Sequence, residues 1–273
     1  MILDIYDVEH GACALITTSN GRRVMIDSGH NATTGWRPGT FLRNAGIVEI
    51  DRLCVTNYDE DHVSGLPDLL SNVAVHALFR NPSVLPATIR HLKSEDGMGR
   101  GIETLVNAAE RRFTGGPAPD IDFGDTSFAF YHTHYGVPPF GFDDENNLSL
   151  VVFVRCGQHK IIFPGDMEKA GWRQLLLNPA FRQELQDVNL FVASHHGREN
   201  GYCQEVMNLC PRINAVIISD KKKGYQSQNV DEYRRHAIGV TLENGATRRV
   251  LTTRRDASMM FEFPPLDRFR FWI

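Results

Sequence analysis

Short apolar runs alternate with polar clusters along the chain, and this pattern predicts β-strands interleaved with helices. ACALITT and RVMID read as two strands joined by the hairpin signal Asn20-Gly21, and DRLCVTN reads as a buried third strand. LSLVVFVRC and HKIIFPGD predict a second hairpin through Gly157-Gln158. GIETLVNAAERRF and KAGWRQLLLNPAFRQELQ predict helices, the second with a break near Pro179. Interleaved strands and helices predict an α/β fold with mixed sheets, and since no linker divides the chain we expect one domain over residues 1–273.

Composition narrows the class of protein. The chain has 273 residues, 42% of them hydrophobic, and 29 Lys+Arg against 33 Asp+Glu give a formal net charge of −4. This balance excludes global disorder and disfavours a generally basic nucleic-acid-binding protein, while a local basic groove stays open. The five cysteines form no CxxC pair, no apolar run approaches 18 residues, and residues 1–11 (MILDIYDVEHG) do not have the basic and apolar regions of a leader. We therefore expect a cytoplasmic protein with reduced cysteines and no membrane association.

Clusters of polar residues close several of the apolar strands. Asp27 follows RVMI, residues 57–62 (NYDEDH) follow RLCVT, Asp166 follows KIIFPG, and His195-His196 follow LFVAS. Strand ends present side chains from a rigid scaffold, so His and Asp residues from several ends can converge on a divalent cation. Such a cation activates water or polarises a phosphate. One cluster alone is a weak signal, but four that each close a buried run indicate a metal site.

On these residues the chain resembles hydrolases of the metallo-β-lactamase fold, and it is most similar to the hydrolase domain of ComEC-type DNA-uptake proteins. NYDEDH stands where that branch carries HxDxDH. The other matching segments are residues 7–12 (DVEHGA), 26–29 (IDSG), 147–151 (NLSLV), 163–168 (FPGDME) and 194–197 (SHHG). The resemblance implies a four-layer αββα sandwich with mixed sheets and a metal site at the strand ends.

The resemblance also implies a role for each motif residue. The expected metal ligands are Asn57, Asp59, Asp61, His62, Asp166 and His196. Catalytic roles are expected for Asp59, Asp61 and His195, orienting roles for Asp27 and His10, and substrate contacts for Asn147 and Ser149. From the basic run at residues 221–223, and not from the resemblance, we also expect Lys222 to contact substrate. Oxygen ligands dominate this set, which favours Mn²⁺, Mg²⁺ or Fe²⁺ somewhat over Zn²⁺. We expect one or two divalent ions, either Mn²⁺ or Zn²⁺.

Three positions depart from the motifs of the branch. Asn57 replaces the first histidine, Ala12 replaces an aspartate, and residues 224–227 (GYQS) lack the histidine of the GHP found in relatives. These changes thin out the metal position formed by Asn57, Asp59 and a bridging Asp166, and leave intact the one formed by Asp61, His62, Asp166 and His196.

The expected activity is metal-dependent hydrolysis of a phosphate-bearing substrate, by a phosphodiesterase or nuclease acting through metal-activated water. A basic patch formed by residues 221–223 (KKK), Arg198 and Arg234-Arg235 would favour a nucleic acid or nucleotide. Two alternatives stay open. One is a hydrolase of lactone or thioester bonds, and the other is a degenerate member serving as a binding or partner module, which Asn57 and Ala12 would favour.

Overall fold

The computed structural model describes residues 1–95, 97–115, 120–136, 141–221, 229–242, 245–264 and 267–273. Its strands, in chain order, are β1 (Ile2–Ile5), β2 (Ala14–Thr17), β3 (Arg23–Ile26), β4 (Glu49–Ile50), β5 (Arg52–Cys54), β6 (Ala74–Val75), β7 (Leu78–Phe79), β8 (Thr126–His132), β9 (Leu150–Cys156), β10 (His159–Phe163), β11 (Leu190–Val192), β12 (Ala215–Ile218), β13 (Val240–Thr241), β14 (Thr247–Arg248), β15 (Val250–Thr252), β16 (Met259–Glu262) and β17 (Arg270–Trp272). Its helices are α1 (Pro38–Asn44), α2 (Glu60–Val63), α3 (Leu66–Asn72), α4 (Pro86–Leu92), α5 (Arg100–Arg111), α6 (Lys169–Leu175), α7 (Pro179–Leu185), α8 (Gln204–Asn208), α9 (Val230–His236) and α10 (Thr253–Asp256), with a 3-10 turn at Ser194–Gly197.

Two large sheets organise these strands. One has the order β17-β16-β1-β2-β3-β5-β7 and the other has the order β15-β12-β11-β10-β9-β8. In the first sheet β3, β5 and β7 run parallel and the remaining pairs are antiparallel. In the second, β10, β11, β12 and β15 run parallel, while β8, β9 and β10 pair antiparallel. Both sheets are therefore mixed, which confirms that prediction.

Three apolar cores separate four layers. The central core joins the facing surfaces of the two sheets, and each outer core joins one sheet to its own set of helices. Alternation along β9 shows how one strand serves two of these cores. Val152 and Val154 point into the core between the sheets, whereas Val151 and Phe153 point toward α6 and α7. The layers run helices, sheet, sheet, helices, which confirms the predicted αββα sandwich.

Local signals in the sequence set several element boundaries. Gly157 turns the β9–β10 hairpin with φ of 56°, a left-handed conformation that glycine adopts without steric cost. The predicted break near Pro179 is confirmed, since α6 ends at Leu175 and α7 begins at Pro179 with the Asn178 side chain accepting the Ala180 N–H at 3.0 Å. In the part of the chain that the structure describes, no helix has the length and apolar character needed to cross a membrane.

Candidate metal centre

Five strands deliver polar residues to one edge of the sandwich. β3 leads to Asp27, β5 to the segment 56–62, β10 to Asp166, β11 to the turn Ser194–Gly197, and β12 to Ser219. β3 and β5 are parallel neighbours, as are β10, β11 and β12, so within each sheet their carboxyl ends lie side by side. Segments distant in sequence thus meet in a common cluster.

The imidazole of His62 is held between two carboxylates. Its Nδ1 lies 2.9 Å from Asp27 Oδ2 and its Nε2 lies 3.0 Å from Asp166 Oδ1, and all three side chains are buried. Asp27 also accepts the Thr56 N–H at 2.7 Å and the Thr56 hydroxyl, which fixes its carboxylate. With Nδ1–H donated to Asp27, Nε2 is the nitrogen that faces Asp166, and its lone pair becomes available to a metal ion once the ion displaces the Nε2 proton.

His196, in the turn that follows β11 of the second sheet, presents its Nε2 to the Asp166 carboxylate. Its Nδ1 lies 3.2 Å from the Ser219 carbonyl oxygen, an acceptor only, which places a proton on Nδ1. Its Nε2 lies 3.2 Å from Asp61 Oδ2 and 3.5 Å from Asp166 Oδ1. The backbone of His196 has φ of 52° and that of His195 has φ of 49°. Two adjacent non-glycine residues in the left-handed region cost about 1–2 kcal/mol each, a strain that is concentrated at functional sites.

These atoms form a donor set suited to a divalent metal ion. Atoms of His62, Asp166 and His196 lie within 4.8 Å of one another, and a second group of His10, Asp61 and His196 meets the same condition. Tetrahedral ligands at the usual Zn–N and Zn–O lengths lie about 3.4 Å apart. The spacings of 3.0 and 3.5 Å around Asp166 Oδ1 lie within about 0.4 Å of that value. A cavity of about 40 Å³ borders the first group, with Ala12 in its wall, and can hold at least one water-sized ligand.

The charges of the cluster favour a bound cation. Burial opposes ionisation of Asp166, but the adjacent His196 and His62 imidazoles hold the pKa of its carboxyl well below the usual range. Burial likewise opposes protonation of His196, but Asp166 and Asp61 outweigh it and raise its pKa to about 10. The same balance raises the pKa of His62 well above its ordinary value. Protons fill this demand for positive charge in the metal-free protein, and a metal ion would displace them.

Asp59 lies outside both donor groups, and the amide of the neighbouring Asn57 is taken up by hydrogen bonds. Asn57 is fully buried, its amide oxygen accepts the Asp59 N–H at 2.7 Å, and its amide nitrogen donates to Ser149 Oγ at 3.1 Å. The Asp59 carboxylate accepts from the ammonium of Lys93, which also donates to Glu145 Oε1 at 2.6 Å. Burial alone would lower the pKa of Lys93, but the Asp59 and Glu145 carboxylates outweigh this effect and raise the pKa above its ordinary value. The lysine is therefore charged.

The residues expected to contact substrate have other partners in the structure. Ser149 Oγ accepts the Asp166 N–H at 3.1 Å, and Asn147 Oδ1 accepts the Gly171 N–H at 2.6 Å. Ser149 therefore supports the backbone of Asp166, and Asn147 anchors the first turn of α6. Lys222 lies outside the described residues. Arg234 and Arg235 pair with acidic residues of their own helix α9, and Lys221 pairs with Glu9 at 3.5 Å, so within the described part of the expected basic patch Arg198 alone forms no ion pair.

Arg198 joins His195 and His10 at the mouth of the cluster. It donates to His195 Nε2 at 2.8 Å and to His10 Nε2 at 3.0 Å, and among the described residues it forms no ion pair. His195 Nε2 is 3.8 Å from Asp166 Oδ2, and burial lowers the pKa of His195 to about 4. His10 lies 3.5 Å from Asp61 Oδ2. The guanidinium charge at this position is available to an anionic substrate.

Lys93 and Asp220 lie near the cluster but were not among the site residues predicted from the sequence. Lys93 lies just past α4, a helix without a clear apolar period, and no motif marks it. Asp220 lies 3.8 Å from His10 Nδ1 and 3.4 Å from Arg254, and it follows the buried strand β12. The rule that located Asp27 and Asp166, an acidic residue directly after a buried strand, could have found Asp220 but not Lys93.

Comparison with known proteins identifies the family of the chain. A model of the metallo-beta-lactamase superfamily matches residues 6–180, which is more than half of the chain. ComE operon protein 3 of Bacillus subtilis (strain 168) is 24% identical over 288 residues, covering 97% of this chain and 34% of that protein. Ribonuclease Z of Alkaliphilus oremlandii (strain OhILAs) is 29% identical over 94 residues, covering 34% of this chain and 27% of that protein.

The chain spans about a third of the length of these curated relatives or less. Among solved structures, the short form of human tRNase Z is similar with a TM-score of 0.42 and 12% identity, covering 81% of this chain and 93% of that one. The family match includes the strand-end residues Asp27, His62 and Asp166. The chain belongs to the metallo-beta-lactamase superfamily.

Proposed function

We propose that the protein is a metal-dependent hydrolase that cleaves phosphodiester bonds. The observation that carries the proposal is the convergence of His62 Nε2, Asp166 Oδ1 and His196 Nε2, with Arg198 at the mouth of the cluster. A site that joins a metal donor set to a guanidinium with two imidazole partners suits a substrate with negative charge next to the bond that breaks.

Each residue has a part in this proposal. His62, Asp166, His196 and Asp61 would hold the ion, which supplies Lewis-acid activation of water and neutralises phosphoryl charge. Asp27 keeps the proton of His62 on Nδ1, so that Nε2 can bind metal. Arg198 binds the phosphate, and His195 and His10 fix the guanidinium by accepting its hydrogen bonds.

The names of the relatives support this substrate class. Ribonuclease Z proteins from three organisms match parts of the chain with identities of 29–32%, and their name denotes cleavage of RNA. A nucleic acid or nucleotide substrate would present a phosphodiester to Arg198. Lactones and thioesters lack this negative charge, so the guanidinium does not favour them.

One assay series tests the proposal. Hydrolysis of bis(p-nitrophenyl) phosphate, single-stranded DNA, single-stranded RNA and a lactone is measured with Mn²⁺ or Zn²⁺, for the wild type and Asp166→Ala. We expect metal-dependent cleavage of the phosphodiesters that falls at least about 100-fold in the variant, as for loss of an essential electrostatic group. Lactone turnover alone would favour the second class of hydrolase. Tight metal binding without any turnover would favour a binding module.

A further inference from the structure

Lys93 places a buried positive charge beside the candidate metal centre. Its side chain is 5% exposed, and its ammonium contacts the Asp59 carboxylate and Glu145 Oε1. The backbone of Lys93 is held at the end of α4, because the Lys93 N–H donates to the Ile89 carbonyl oxygen. A lysine buried to this degree keeps its charge only where carboxylates compensate it.

The surroundings of Lys93 are rich in oxygen and connect to the donor set. Asn57 Nδ2 and the Asp166 N–H both donate to Ser149 Oγ, each at 3.1 Å. Asn57 also accepts the Asp59 N–H, so a chain of hydrogen bonds runs from Asp59, the partner of Lys93, through Asn57 and Ser149 to Asp166. Carboxylates of Asp59, Glu145 and Asp166 would attract a divalent cation there if no other positive charge were present.

Asn57 closes the same region to a second metal ion. Its amide oxygen is occupied by the Asp59 N–H, and its amide nitrogen is directed to Ser149 Oγ and Asn146 Oδ1. An ion entering between Asn57 and Asp59 would have to break these bonds and also face the Lys93 ammonium. Like charges at such short range repel strongly in a buried environment.

We propose that the Lys93 ammonium takes the place of a second divalent cation, so that each chain binds one metal ion. This inference rests on the proposed metal site at His62, Asp166 and His196. It assigns Asp59 and Glu145 to a structural ion pair with Lys93 and leaves one ion to the two donor groups, which share His196 and therefore count as one metal position.

Counting bound metal tests the inference without an activity readout. Wild type, Lys93→Ala, Lys93→Arg and Lys160→Ala are equilibrated with Mn²⁺, and the ions per chain are measured by mass spectrometry and by the electron paramagnetic resonance spectrum. Lys160 is a matched control, because it is 2% exposed and pairs with Glu184 at 2.5 Å outside the donor groups. Circular dichroism shows which variants are folded.

We expect one Mn²⁺ with an uncoupled spectrum in wild type, Lys93→Arg and Lys160→Ala. In Lys93→Ala we expect a second ion, bound at least tenfold more tightly than any second ion in wild type. Two tightly bound ions in wild type, or a folded Lys93→Ala that still binds one, would overturn the inference and leave the proposed function standing. No bound ion in wild type would refute the proposed function itself. If Lys93→Ala does not fold, the wild-type count decides.

Discussion

Replacing Asp27 by asparagine perturbs one atom of the network behind the metal centre. Asp27 is 1% exposed and has φ of 57°, a left-handed conformation that asparagine adopts as readily as aspartate. The substitution keeps the shape of the side chain and introduces no backbone strain. Any change in metal binding then reports on the carboxylate itself.

The contacts of Asp27 set the size of the effect. Three donors point at the carboxylate, namely the Thr56 N–H at 2.7 Å, the Thr56 hydroxyl, and His62 Nδ1 at 2.9 Å. An amide has one oxygen, so its NH₂ group must face one of these donors, at a cost of about 1–3 kcal/mol. If it faces His62, the imidazole proton moves to Nε2 and the lone pair for the metal is lost. Loss of such an orienting group weakens metal binding 10–100-fold, about 1.4–2.7 kcal/mol.

Chelator competition measures this effect. We expect Asp27→Asn to bind Mn²⁺ or Zn²⁺ about 10–100-fold more weakly than the wild type. Asp256→Asn is the matched control, because Asp256 is 4% exposed, binds Arg248 at 2.7 Å and Thr252 N at 2.9 Å, and lies outside both donor groups. It should lower stability and leave metal affinity unchanged. A folded Asp27→Asn with metal affinity within twofold of wild type would refute the reasoning.

Three further predictions concern substrate, pH and stability. Arg198→Ala should raise KM for a phosphodiester about tenfold or more, as expected for one charge-assisted hydrogen bond, and should leave KM for a neutral lactone unchanged. Equal effects on both substrates in steady-state kinetics would contradict the phosphate role. In the metal-free protein, burial lowers the pKa of His196, but Asp166 and Asp61 outweigh it and raise the pKa from 6.5 to about 10. Protonated His196 therefore contributes its full stabilisation below pH 6.5, and this contribution is lost as the pH rises through 10. The urea midpoint should therefore fall over this range, and a constant or rising midpoint would argue against the network. The Glu60 carboxylate accepts the N–H groups of Gly101 and Ile102 at the start of α5. Glu60→Gln should therefore lower the free energy of unfolding in urea by about 1 kcal/mol and leave the metal affinity unchanged. Loss of metal binding would instead assign Glu60 to the metal centre.

The main elements of the fold could be predicted from the sequence because each carries a clear apolar pattern. β9 and β10 are apolar on both faces, since each lies between the other sheet and a helical layer, and this produces the long runs LSLVVFVRC and HKIIF. α4 and β17 were not predicted. α4 has seven residues with Ile89 as its buried residue, and β17 is a three-residue edge strand, so neither carries a readable period.

The candidate site divides in a similar way. Motif positions predicted that Asp27, His62, Asp166 and His196 would meet, and the structure brings them together. Their ligand roles stay predictions until a metal is bound. The contact between Lys93 and Asp59 could not be predicted, because it depends on how α4 packs beside the β5 segment. Likewise, the Ser219 carbonyl that orients His196 is a backbone atom, which sequence does not identify.

Anomalous diffraction from crystals grown with Mn²⁺ or Zn²⁺ tests the central claim most directly. We expect one strong peak per chain within coordinating distance of His62 Nε2, Asp166 Oδ1 and His196 Nε2. We also expect the Lys93 ammonium to remain between Asp59 and Glu145. A peak bound by Asn57 and Asp59 with Lys93 displaced, or no peak at the His62–Asp166–His196 group in metal-loaded crystals, would contradict it.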